Sequence, residues 1–139
     1  MGLCAALAAA ILPVLGLVPV APAPGQDPVA AAEAAAKADA DTPGGKVFGE
    51  ALGEAFGREH GLTIQRCAKE AKRPDLSDFD LLLRVDRSGA VDQALVKPVT
   101  NLATCVQGKL AGWKTSVPPH PGFWVEVAVN LKRKQAARP

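Results

Sequence analysis

The chain has no tyrosine, and only four phenylalanines and two tryptophans among 139 residues. So thin an aromatic complement offers few rings on which bases could stack, and single strands are gripped largely through such platforms. The basic clusters Arg66, Lys69, Lys72 and Arg73, and Lys132, Arg133, Lys134 and Arg138 near the end, therefore read as solvated faces, and no nucleic-acid partner is expected. Histidine is as scarce. His60 and His120 are the two present, and no pairing with a cysteine has the spacing of about two to four residues found in zinc knuckles. The absence of C-x-x-C removes the usual dithiol redox motif. His60 and Cys67 lie two helical turns apart and could form a thiol–imidazole pair if one helix carried both. Gly61 intervenes, however, and the pattern turns Cys67 inward, away from the exposed, electropositive setting a nucleophilic thiolate needs. The chain is expected to be non-enzymatic, without catalytic residues, metal or cofactor; a thiol or metal-dependent enzyme is the low-ranked alternative.

Charge is absent from Met1 to Val20. The apolar run from Leu3 to Leu12 continues past Pro13 to Val18, which fits the core of a secretory signal even though no basic residue precedes it. Ala21-Pro22-Ala23 is the evident small-x-small site, but Pro24 beside the cut moves the expected cleavage to near Gly16 or Gly25. Residues 1–25 are read as a signal peptide or, if uncleaved, an N-terminal anchor; Pro13 and Pro19 disfavour an unbroken spanning helix. A misplaced start or an alanine-rich disordered tail is the remaining option. Three cysteines are an awkward number, whereas loss of Cys4 with a signal leaves Cys67 and Cys105, the pair that one staple requires. Closing that loop would restrict the unfolded chain by about 4 kcal/mol, a large share of the stability of so small a core. Two buried free thiols in a cytoplasmic protein are the alternative. Export predicts a periplasmic or secreted location, with membrane contact only through an uncleaved N-terminus.

Residues 26–45 are dominated by Ala, Pro, Asp and Gly and read as a linker, with a nascent alanine helix between Pro28 and Ala40. The folded domain is expected over 46–134, followed by a disordered tail, 135–139. From Lys46 onward fifteen Lys and Arg stand against ten Asp and Glu, so the domain is mildly basic and the tether mildly acidic. Phe48, Leu52 and Phe56 recur every four residues as a helical stripe, beside glycines in strict fours, Gly45, Gly49, Gly53, Gly57 and Gly61. That ridge is either a close-approach face or a chance register. A second helical segment is expected from about Leu62 to Lys72, with Ile64 and Cys67 inward and Pro74 as its stop.

Next comes a hairpin. Phe79, Leu81, Leu83 and Val85 alternate with polar residues, Asp86-Arg87-Ser88-Gly89 supplies the turn, and Ala90 to Val96 returns. Leu82 is apolar on the face that should be wet, so this first strand is placed centrally in the sheet. Thr100 or Asn101 can cap a helix whose stripe is Leu102, Cys105, Val106, Leu110 and Trp113, which turns Cys105 toward the core. A proline-rich loop then delivers a last strand, Phe123 to Leu131, with Phe123, Val125, Val127, Val129 and Leu131 on one side and Trp124 and Glu126 on the other.

The ordered set formed by His60, Ile64 and Cys67, Pro74-Asp75-Leu76-Ser77, Leu83-Arg84-Val85-Asp86-Arg87-Ser88-Gly89-Ala90-Val91, Cys105, Trp113, and Pro118 to Gly122 with the closing strand resembles the TonB C-terminal-like domains of the adventurous gliding motility (AgmX/PglI) type. Ala68 and Val117 stand where that family commonly has an aromatic residue and a Phe-Pro pair. The resemblance implies an α+β fold: one or two N-terminal helices, then β-β-α-β, with a three-stranded antiparallel sheet and helices packed on one face. It also implies an extracytoplasmic interaction module that grips an envelope protein or peptide, partly by strand addition at the sheet edge. Trp124 and Glu126 on the outward face of the last strand, and Lys132, Arg133 and Lys134 at its end, are the candidate partner-binding residues. The three basic residues would favour acidic peptides or protect the edge from aggregation. An exported structural domain without a specific ligand is the alternative function.

Overall fold

A computed structural model of the protein describes Gly25 and residues 27–131. The expected signal segment and the 135–139 tail lie outside the described residues. The elements run α1 (Pro28–Ala40), α2 (Gly45–Glu70), β1 (Phe79–Val85), β2 (Val91–Lys97), α3 (Asn101–Lys109) and β3 (Phe123–Val129). The three strands form one antiparallel sheet in the order β2-β1-β3. This is the α+β architecture and sheet expected, with the Leu82 strand in the centre, but helices cover both faces of the sheet and not one.

The centre is where the sequence requires it. Leu81, Leu82 and Leu83 in β1 are all fully buried, so both faces of this strand need cover. On one face α2 and α3 supply it. Phe48, Leu52, Phe56, Ile64 and Cys67 of α2, with Leu102, Ala103 and Val106 of α3, close over Phe79, Leu81, Leu83 and Val85 and over the odd-numbered residues of β3. On the other face the cover is α1. Ala32 and Ala36 are buried on Leu82, with Val29, Leu95 and Trp124 packed around them.

The reading of 26–45 as a linker that buries little is therefore corrected: Pro28–Ala40 is a docked helix. Its start is well specified, with Pro28 in the first turn and the Asp27 carboxylate accepting from the Val29 N–H at 3.0 Å. The small Ala side chains bring the helix close over Leu82, whose burial contributes about 2 kcal/mol. The helix ends by a return of the Asp41 N–H onto Lys37 and Asp39 carbonyls.

The two expected segments after it are a single helix. α2 continues through Gly61 for 26 residues, because packing of its apolar stripe outweighs a propensity loss of about 1 kcal/mol per glycine. Thr100 caps α3, its side-chain oxygen accepting from Ala103 N–H at 3.1 Å. The helix ends at Lys109, so Trp113 is not on its stripe, as the spacing suggested, but in the loop beyond. That loop is bonded to the sheet: Val91 N–H donates to the Trp113 carbonyl at 2.8 Å, and Gly112 N–H donates to the Val91 carbonyl at 3.0 Å. The Cys67–Cys105 disulfide is present, with Cα atoms 5.8 Å apart, and joins the last turns of α2 to the middle of α3.

Candidate functional site

In an antiparallel strand, backbone groups alternate between the two neighbours just as side chains alternate between the two faces. β1 is paired on both sides, so β2 and β3 each have one outer edge. On β3 the Trp124 N–H turns outward, since it donates to Asp39 Oδ2 of α1 at 2.9 Å. By alternation the N–H and C=O groups of Glu126 and Ala128 also turn outward, and among the described residues they have no partner.

This edge is the floor of a cleft between two helices. Near Trp124 and Glu126 the cleft has a volume of about 540 Å³, with Glu33, Ala36 and Lys37 of α1 on one wall and Gly45, Gly49 and Glu50 of α2 on the other. A continuation of about 340 Å³ follows β3 toward Asn130 and Leu131, walled by Gly53, Phe56 and Gly57. Four of the five ridge glycines, Gly45, Gly49, Gly53 and Gly57, thus line the wall above the β3 edge, and Gly61 does not.

Asp39 organises the mouth of the cleft. One carboxylate oxygen takes the Trp124 N–H and the other receives His120 Nε2 at 2.9 Å. His120 Nδ1 meets the Pro121 carbonyl at 3.0 Å, so both ring nitrogens face acceptors, the arrangement of an imidazolium. The Pro121 carbonyl and then Asp39 raise the His120 pKa above its ordinary value. The ring also lies 5.0 Å from that of Phe123. Farther along the edge Glu126 is exposed. Burial pushes its carboxyl above the usual range, Asp80 and Glu33 push the same way, and Lys97 opposes them. Lys97 is itself paired with Glu33 at 2.7 Å.

The candidate residues fall into three groups. Trp124 and Glu126 are brought together on the cleft floor, but Trp124 is half-buried against α1, not a free aromatic anchor and not covered by the glycine-bearing helix. Lys132, Arg133 and Lys134 lie outside the described residues. Cys67 and Cys105 are bonded to each other, which leaves neither sulfur a thiolate. His60 packs against Phe56 and Trp113, at ring distances of 5.5 and 4.6 Å, and burial lowers its pKa while Glu59 raises it. Trp113 Nε1 donates to Glu59 Oε2 at 3.0 Å, so this cluster is tied into the core between α2, α3 and the sheet. Among the described residues no three His, Cys, Asp or Glu side chains are gathered as metal donors, and no helix is long and apolar enough to cross a membrane.

Sequence reasoning missed Asp39, which stood in the supposed linker. Its only signal was indirect: Leu82 and Trp124 share a face of the sheet that needed a cover, and an acidic residue at the end of that cover can reach a strand's first free N–H. No family model, no curated protein and no solved structure matches this chain.

Proposed function

We propose that this chain is a non-catalytic interaction module of the cell envelope, which takes an extended peptide or partner segment as a fourth strand on the outer edge of β3. The observation that carries this reading is the pair of outward-facing residues, Glu126 and Ala128, whose backbone groups lack partners on the floor of an open cleft. An added strand completes such groups without rearranging the sheet.

Two further features support the setting. A disulfide between α2 and α3 persists in an oxidising compartment, and the uncharged N-terminal stretch has the character of an export signal. The ordered motifs shared with AgmX/PglI-type TonB C-terminal-like domains agree with a role in gripping envelope proteins.

The test is hydrogen exchange on the protein isolated with its envelope partner after mild crosslinking. New protection confined to the amides of Glu126 and Ala128 is the expected result. A partner bound with those amides still exchanging freely sinks strand addition, and absence of any captured partner favours a purely structural exported domain. Intact mass of protein from its native fraction checks the location: a mature chain lacking about 16 to 25 residues, two hydrogens lighter before reduction, is expected.

A further inference from the structure

We propose that the β3 cleft selects a segment in which apolar side chains alternate with basic ones, the apolar set turned toward the glycine wall of α2 and a lysine or arginine turned toward Glu126. This rests on the strand-addition reading and adds to it the sequence of the guest.

A strand laid outside β3 would continue the pleat, one set of its side chains on the α2 side and the other on the α1 side. On the α2 side there is unclaimed room. A Cβ built on Gly53 or Gly57 would meet nothing within 4 Å, and one on Gly49 would reach only Val125 at 3.9 Å. Neither Gly53 nor Gly57 is needed for any close approach among the described residues, yet each weakens the helix by about 1 kcal/mol relative to alanine. Packing of the opposite stripe carries that cost, but among the described residues no contact at Gly53 or Gly57 themselves requires a glycine. A bulky apolar side chain entering beside Phe56 and Val127, which line the same continuation of the cleft, does offset it, by burying surface that these glycines leave accessible.

On the α1 side the charges around Glu126 are mostly acidic. Among the described residues the charges that act on Glu126 are the carboxylates of Asp80 and Glu33 and the ammonium of Lys97, and that ammonium is already paired with Glu33. Elsewhere on the rim Glu50 stands with Lys37 and Lys46, so the imbalance is confined to the middle of the strand. A guest cation opposite Glu126 relieves it, whereas a guest carboxylate adds to it. The same charge disfavours a second copy of the chain as the occupant. Antiparallel pairing of two β3 edges about Glu126 would set that carboxylate opposite itself, an unfavourable cross-strand pair.

The experiment uses the full chain and two blocked peptides of about eight residues, long enough for one strand, one alternating valine with lysine and the other valine with glutamate. Binding is followed at low salt by titration and by backbone amide shifts. The valine–lysine peptide is expected to bind about fivefold more tightly, to shift the amides of Glu126 and Ala128, and to lose its advantage in Glu126→Lys. Gly53→Leu is expected to fold with unchanged or higher thermal stability while binding about tenfold more weakly. Equal or tighter binding of the valine–glutamate peptide at the same amides overturns the selectivity and leaves strand addition standing. A folded Gly53→Leu with unaltered affinity removes the glycine wall from the site. If neither peptide moves those amides, both readings fall together; if the amides shift with protein concentration alone and the mass doubles, the occupant is a second copy and the proposal is overturned.

Discussion

The two edges of the sheet are treated differently by the same short chain. Along the first half of β2 the outward groups are taken up locally: Val91 bonds through both its N–H and C=O to the Gly112–Trp113 loop, and the Ala94 carbonyl accepts Gln107 Nε2 at 2.6 Å. Along β3, among the described residues, only the first outward N–H has a partner, the Asp39 carboxylate. An unpaired edge is a hazard that folded domains ordinarily suppress. A loop and a glutamine cover the start of the β2 edge, whereas two helices wall the β3 edge and leave its middle open.

The largest losses are expected at the elements that pack the β2 side. Cys105→Ser, paired with Cys67→Ser so that no lone thiol remains, removes the tie between α2 and α3 and is expected to cost about 2–5 kcal/mol, read by urea unfolding of the oxidised parent and the double variant. Gly89→Ala comes next. Gly89 has φ of +88° and a Cβ there would collide with the Thr115 carbonyl, so the strand that follows the turn must shift. A loss of about 2–3 kcal/mol is expected in the same assay.

A matched pair of surface variants reads the two edges separately. Gln107→Ala frees the Ala94 carbonyl and Asp39→Ala frees the Trp124 N–H, each expected to cost about 1 kcal/mol. Their exchange signatures should differ: Asp39→Ala exposes the Trp124 amide and leaves the β2 side protected, while Gln107→Ala leaves the Trp124 amide unchanged. Equal loss of Trp124 protection in both would mean that the edges are coupled through β1.

The smallest effect is pH dependence at the mouth of the cleft. His120 has its folded-state pKa raised above the ordinary 6.5 by the Pro121 carbonyl and Asp39. The contact therefore contributes fully below about 6.5 and is lost as pH rises through the higher folded value. After correction for intrinsic exchange, protection of the Trp124 amide is expected to fall over that alkaline limb, and His120→Gln should flatten the change. The ring is exposed, so global stability is expected to move little.

Much of this was legible in the residues. Alternation fixed the hairpin and β3; Leu82, apolar where water was expected, placed β1 in the centre; Thr100 announced the start of α3; the cysteine count suggested a pair that is indeed bonded. What was hidden has a common cause. α1 docks through Ala32 and Ala36, and in an alanine run the docking face looks like every other face, so periodicity carries no contrast. The continuity of α2 across Gly61 and the departure of Trp113 from α3 are decided by tertiary contacts, against local propensity in the first case and in spite of a helical spacing in the second. The cleft could not be seen because it is made of what the chain omits: side chains at Gly49, Gly53 and Gly57.

The two tryptophans happen to stand on opposite layers. Trp124 lies beneath α1, within the small alanine cluster, while Trp113 is bonded to Glu59 and packed on His60 and Phe56 in the α2 layer. The protein has no tyrosine to blur the signal. Its emission spectrum is thus a two-channel reporter, in which replacing either indole by phenylalanine leaves a single probe that watches one helical layer peel from the sheet independently of the other.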